Sequence, residues 1–492
     1  MCRPAVAASP SGRLASSSVG ERPGGEVAGG LRALLERPFE ELGLPALEEY
    51  VAIACLSPAF DPAFAEHGEL RRAAELLAGF VRRHGPAGAA VEVLELPGRS
   101  PLLFAHLPAT RAGAATLVYG HLDKQPALGP WRDGLAPFAA TREGDRLYGR
   151  GVADDGYAAI AATLALRALE EAGLRRGPVV LLVEGSEESG SPDLAAYLDA
   201  LAPRIGSPGL VVCLDSGAAT YDRLWVTTSL RGLVNATLTV RVLEQGVHSG
   251  LAGGVVPSSF RLARHLLERV EDGATGEVRL APCRVTPPEH RRAEIAALAA
   301  ELGEDAAGSF PTVPGLELAG ASPAERLERL AWHPALEVTG AEGLPGRLEA
   351  GNVLRPLTAL RLSLRLPPTC DASRAAEALG AALTADPPAG AAVTLEVEEV
   401  AEGFDAPPTA PWLAAALDAA SRAAFGAPPG ALGLGGTIPF LPALARRFPD
   451  AQLLATGVLG PGSGAHGPDE FLHVPTAVSL TAVLAALLAA AP

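Results

Sequence analysis

The stretch LVYGHLDKQP, Leu117 to Pro126, decides the fold. An apolar run climbs to Tyr119-Gly120 and then delivers a histidine and an aspartate two residues apart, His121 and Asp123. A run apolar on both faces reads as a strand buried on both sides, the mark of a parallel sheet covered by helices. In such sheets ligands sit beyond the carboxyl ends of the strands, so the titratable pair falls where chemistry is expected.

Working outward, AAVEVLEL, PLLFAHL, GPVVLLVEGSEESGS and PGLVVCLDSG are further strand-like runs, and DGYAAIAATLALRALEEAG is a long helix between them. Strands alternating with helices predict an α/β fold, a mostly parallel sheet flanked by helices. From Leu230 the character changes: LVNATLTVRVL and LTALRLSLRLP alternate apolar and polar residues with period two, as half-exposed antiparallel strands do. Near Pro407 the chain returns to alanine-rich helix. The expected organisation is a leader over 1–30, a discontinuous catalytic domain over 31–228 and 400–492, and an inserted α+β domain over 229–399. That domain carries a long Pro/Gly/Glu-rich insertion of its own, about 273–346.

With 48% apolar and 20% charged residues over 492 positions, the composition is globular. A net charge of -16 argues against a nucleic-acid partner, because phosphate binding wants a basic surface. Five scattered cysteines, without C-x-x-C spacing, suit a reducing cytoplasm better than a disulfide scaffold. The N-terminal residues lack the apolar core of a signal peptide. The apolar tail Thr476 to Ala491 is shorter than the roughly 20 residues of a membrane span, so it reads as a buried terminal helix and no membrane partner is expected.

Five segments deliver histidine or carboxylate at predicted strand ends or loops: His121 and Asp123, Asp154 and Asp155, Glu187 and Glu188, Asp215, and His466. Singly, each has a bland reading as a cap, a turn former or solvated charge. Together, carboxylates at neighbouring strand ends repel one another unless a cation lies between them. Two imidazoles with several carboxylates form a nitrogen and oxygen site suited to Zn²⁺, with Mn²⁺ or Co²⁺ as alternatives. There are too many acids for one tetrahedral ion, which suggests two metals sharing a bridging ligand. Asp123, two residues after His121, would then accept the imidazole's other N–H and fix its tautomer.

In order and spacing, YGHLDKQPA, LYGRGVADDG, EGSEESGS, LDSG, GVHSG, GTIP and GAHGPDE resemble the di-zinc metallopeptidases that include carnosinases, aminoacylase, carboxypeptidase G and the diaminopimelate desuccinylases, the carnosinase-like branch above all. The resemblance implies two zinc ions per subunit. Asp154 would bridge them, followed by a cis peptide; His121 and Asp215 would hold one ion, Glu188 and His466 the other. Glu187 would be the general base, with Asp123 behind the site. It makes the inserted domain a lid and homodimerisation domain, whose His248 reaches the partner subunit's site in dimeric relatives. It assigns Arg365 and the loop Gly435, Gly436 and Thr437 to the substrate's carboxylate end. The implied activity is amide hydrolysis in dipeptides or small peptides with a free carboxylate. Deacylation of N-acyl amino acids is the alternative within the family, and a non-catalytic relative is disfavoured because Glu187 and every ligand are present. No G-x-S-x-G elbow supports a serine hydrolase.

Overall fold

The computed structural model describes residues 24–304, 310 and 312–492. Of the leader expected over 1–30, residues 1–23 lie outside the described residues, and Gly24 to Gly30 open the first helix, Gly24–Pro38.

Along the chain come β1 (Ala90–Leu94), β2 (Leu102–Leu107), β3 (Ala115–His121), β4 (Val179–Glu184), β5 (Pro208–Cys213) and β6 (Trp225–Leu230). Next are β7 (Gly232–Arg241), β8 (Ala335–Glu342), β9 (Leu357–Leu366) and β10 (Ala392–Ala401), followed by β11 (Phe404–Asp405), β12 (Gly430–Leu434) and β13 (Gln452–Ala455). The larger sheet has the order β1-β2-β4-β3-β5-β13-β6-β11, with β12 also on β6. Its centre is parallel, as the opening stretch predicts: β3 pairs with β4 and β5, and β5 with β13. The flanking pairs are antiparallel except for β12, which runs parallel to β6, so the sheet is mixed. The connection from β1 to β2 is too short for the crossover helix that parallel neighbours need.

The central strands are apolar on both faces because both are covered. Val118, Leu181 and Val212 point into one core with helices Tyr157–Glu171 and Val474–Ala490. Leu117, Tyr119, Leu182 and Val211 point into another, with helices Leu194–Ile205 and Phe440–Arg447. Each such side chain is worth about 1.5–3 kcal/mol when fully buried. The apolar tail is the buried helix expected of it, and among the described residues no helix is long and apolar enough to cross a membrane.

The smaller sheet, β8-β9-β7-β10, is antiparallel throughout. Helices Ser259–Leu267 and Ala372–Thr384 cover one face, the second capped by Asp371, which accepts Arg374 N–H at 2.9 Å. Residues within the 273–346 insertion form two helices, Glu289–Leu302 and Pro323–Trp332. These pack on the larger sheet, not the smaller one: Ile295, Leu298, Leu327 and Trp332 join Trp225 of β6 and Leu432 of β12 in one apolar cluster. Arg291 ties them down, 2.8 Å from Asp405 of β11 and 2.9 Å from Glu294.

Trp332 is 1% exposed. We expect Trp332→Ala to cost about 3–5 kcal/mol, the range for a buried tryptophan, and to lower the urea midpoint of the transition that includes the larger sheet. An unchanged midpoint would mean that the insertion helices are not integral to it.

Candidate metal centre

One strand end and four loops bring the site together. β3 ends on His121, β4 is followed by a single turn over Glu187–Ser189, β5 is followed by Asp215, and Asp154 lies in the turns before helix Tyr157–Glu171. His466 comes from the loop after β13, at a left-handed φ of 55°. The Asp154–Asp155 peptide is cis.

Asp154 is shared. Its Oδ1 lies 3.1 Å from His121 Nε2, and its Oδ2 lies 3.1 Å from His466 Nε2. Asp215 Oδ2 is 3.9 Å from His121 Nε2, and Glu188 Oε2 is 3.0 Å from His466 Nε2. Two three-residue groups result, His121 with Asp154 and Asp215, and Asp154 with Glu188 and His466, each with its ligand atoms within 4.8 Å of one another. The five expected ligands are thus brought together, with one oxygen of Asp154 for each group.

His121 Nδ1 lies 3.1 Å from the Asp123 carbonyl oxygen. A carbonyl only accepts, so Nδ1 carries a proton, and Nε2 is the nitrogen available to a cation beside Asp154. Two acceptors 3.1 Å apart require a proton or a cation between them. A pair of divalent cations therefore fits this donor set, with oxygen and imidazole nitrogen in the ratio that suits zinc. The protein groups alone show the strain of close packing. Burial pushes Asp215 up to about 7 against the opposing pull of His121. Burial, and then the charge of Asp215, hold the Glu187 carboxyl well above its usual range. For His466 burial acts downward, but its hydrogen bonds to Asp154 and Glu188 outweigh it and push the imidazole up to about 11.

The role expected of Asp123 is corrected in detail. β3 stops at His121, so Asp123 no longer follows strand geometry, and its carboxylate stands 3.5 Å from Nδ1 while its carbonyl makes the hydrogen bond. The two carboxylate oxygens instead accept the backbone N–H groups of Glu187 and Glu188, at 3.1 and 3.0 Å. Asp123 thereby fixes the turn that presents both glutamates. Asp155 faces away from the ligands and accepts His121 N–H at 3.2 Å.

Two supporting residues were not singled out in the sequence. Glu470 is fully buried; it accepts N–H from Gly151, Ala153 and Asp154 and pairs with Arg150 at 2.8 Å, locking the Asp154 loop to the His466 loop. Gln125 Nε2 donates to Glu188 Oε2 at 2.7 Å. Both stand inside quoted stretches, GAHGPDE and LVYGHLDKQP, so proximity to a ligand was the available signal.

Of the remaining expected residues, Arg365 Nη1 donates to Thr437 Oγ1 at 3.0 Å, bringing β9 to the Gly435–Thr437 loop. His248 is not brought to the metal ligands within one chain. It is exposed on a short strand paired with Val353–Leu354, its Nδ1 accepting Gly250 N–H.

Residues 117–490 match the family model described as peptidase family M20/M25/M40. A cysteinylglycine-S-conjugate dipeptidase from Corynebacterium striatum is 29% identical over 384 residues, covering 75% of this chain and 78% of its own. A beta-Ala-His dipeptidase from Homo sapiens is 31% identical over 245 residues, covering 46% of this chain and 47% of its own. Among solved structures, a dipeptidase from Saccharomyces cerevisiae superposes with a TM-score of 0.75 over 95% of this chain and 98% of its own, at 19% identity, a likeness of fold.

Because Asp154 faces both groups, Asp154→Asn should reduce bound metal to less than half of the wild-type equivalents. Elemental analysis after dialysis would measure this, and unchanged stoichiometry would exclude a shared ligand.

Proposed function

The chain belongs to peptidase family M20/M25/M40, and from that premise we propose that it is a di-metal dipeptidase, cutting the amide bond of dipeptides or small peptides with a free carboxylate. One observation carries the reading: two ligand groups share a single carboxylate, Asp154, with the glutamate turn held beside them by Asp123. His121, Asp154 and Asp215 would hold one ion, and Asp154, Glu188 and His466 the other, zinc first, with manganese or cobalt as alternatives. When bound, the ions would supply Lewis acidity toward the attacking water and the scissile carbonyl.

Glu187 takes the proton from the attacking water and returns it to the leaving amine. Asp123 keeps Glu187 and Glu188 pointing apart, so that adjacent residues of one turn serve base and ligand. Arg365, Thr437 and the glycines before it bind the substrate carboxylate. The dipeptide class is favoured over N-acyl amino acids by the dipeptidase activities carried in the names of the relatives described above.

His248 acts in trans on this reading, from the lid of a homodimer. In support, Leu251 and Val255 beside it are each 85% exposed, an apolar surface of the kind a partner covers. The cysteine pattern favours a cytoplasmic setting.

The test is a panel of dipeptides and N-acyl amino acids incubated with zinc- or manganese-loaded protein, with a chelator control and loss followed by mass spectrometry. Chelator-sensitive loss of dipeptides is expected; loss of N-acyl compounds alone would move the reading to a deacylase. Glu187→Gln should keep its metal and lose roughly 10²–10⁴-fold in kcat. A variant with most of its turnover intact would remove Glu187 from the base role. Mixing inactive Glu187→Gln with inactive His248→Ala should restore part of the activity, because one mixed interface carries both native groups. No recovery in mixed dimers verified by mass would sink the trans assignment.

A further inference from the structure

The Gly435–Thr437 loop has a guanidinium on each side. Arg365 approaches through Thr437 Oγ1. From the other side, Arg231 Nε donates to Gly435 O at 3.1 Å, and Thr437 Oγ1 donates to Arg231 O at 2.7 Å. Arg231 Nη1 donates to His333 O at 3.3 Å, at the end of the second insertion helix. Its Nη2 has no hydrogen-bond partner among the described residues. A Cβ at Gly435 would stand 2.8 Å from that nitrogen, so the glycine is what lets the guanidinium lie against the loop.

Neither arginine has an acid within ion-pair distance among the described residues, although Arg231 is only 9% exposed. A buried charge without a counter-charge is expensive, by several kcal/mol. Arg150 and Arg291, comparably buried, each hold a carboxylate at 2.8 Å. Arg176, which has no acid either, gives Nη1 to the carbonyls of Pro108 and Gly177 and leaves Nε and Nη2 without partners among the described residues, so what sets Arg231 apart is its place beside Arg365 and the Gly435–Thr437 loop. Glu337 and Glu399 act on Arg231 and Arg365 only through space. Burial, and then the charge of Arg365, push Arg231 down to about 10, which leaves it protonated at neutral pH. Two cations flank one loop in a chain of net charge -16, and both lack an acid partner among the described residues.

The loop is open to solvent at Gly436, where no neighbouring atom lies within 4 Å of where a side chain would begin. Leu434, the residue before the loop, packs toward the segment after Asp215: its Cδ1 would be 3.5 Å from a Cβ at Gly217.

We propose that Arg231 is a second cation of the carboxylate end of the site, binding the substrate's free carboxylate together with Arg365 and the Gly435–Thr437 loop. The insertion holds it in place: the His333 carbonyl fixes one amino group of the guanidinium and leaves the other toward the loop. Two guanidiniums can donate to both oxygens of a carboxylate with charge assistance that an uncharged amide of the same shape does not return. The insertion is then a strut for substrate recognition. The inference rests on the peptide reading above for the identity of the anion.

The experiment titrates two probes calorimetrically into metal-loaded protein: a dipeptide with CH₂–NH in place of the scissile amide, and the C-terminal amide of that compound. Wild type should bind the acid at least about tenfold more tightly than the amide, the scale of one hydrogen-bonded charge, and Arg231→Gln and Arg365→Gln should each lose most of that preference. Equal binding of acid and amide by wild type overturns the inference. So does a full preference retained in Arg231→Gln, an outcome that leaves the peptidase reading untouched. Loss of the preference in a protein that consumes no peptide of the panel would instead uphold the carboxylate site and reject the peptidase reading. Should Arg231→Gln not fold, Arg231→Lys decides: a weakened acid preference supports the planar contact, and an undiminished one overturns it.

Discussion

The structure depends on one constraint, that several carboxylates must stand together out of water. Asp154, Asp215, Glu187 and Glu188 converge at the ends of strands whose other residues are almost all apolar. Left alone they would repel one another, and burial would drive them toward the neutral form. Two imidazoles and the positive charge this donor set is built to take resolve the conflict. The ligands come from five separate segments, which spreads the like charge along the chain.

The acids divide into two kinds. Asp154, Asp215 and Glu188 turn their oxygens toward the histidines. Asp123 and Glu470 turn theirs toward backbone N–H groups, two for Asp123 and three for Glu470. The second kind makes the first kind precise in position: Glu470 clamps the Asp154 loop, and Asp123 clamps the glutamate turn. A ligand on a loop is only as well placed as the loop's own hydrogen bonds.

Much of this was legible in the sequence because each ligand follows a strand of local, readable character, and both the parallel centre and the alternating strands of the smaller sheet announce themselves by period. The remainder depends on distance along the chain. Arg150 and Glu470 pair across 320 positions, and Arg231 meets Gly435 across 204, separations that leave no periodic trace. The strand geometry that the expectation for Asp123 rests on ceases at His121 itself. The insertion helices sit in a stretch whose overall Pro/Gly/Glu content conceals them, and their partners, Trp225 and Leu432, lie outside it.

The distribution of charge across the molecule then acquires a direction. Acidic and imidazole ligands come from the parallel centre of the larger sheet, while the unpaired guanidiniums stand at its edge, Arg231 just after β6 and Arg365 on β9 of the smaller sheet. On the proposed reading, a short peptide with one carboxylate would have a single orientation that places its negative end on the arginines and its carbonyl on the metal side. Binding and orientation are then set by the same charges, and a reacting amide held in register gains the rate advantage of preorganisation without further contacts. Because Arg365 belongs to the inserted domain and Thr437 to the larger sheet's own loop, their hydrogen bond crosses the seam between the sheets. An anion bound there would be shared by both sides of that seam, the geometry the proposed carboxylate site would use.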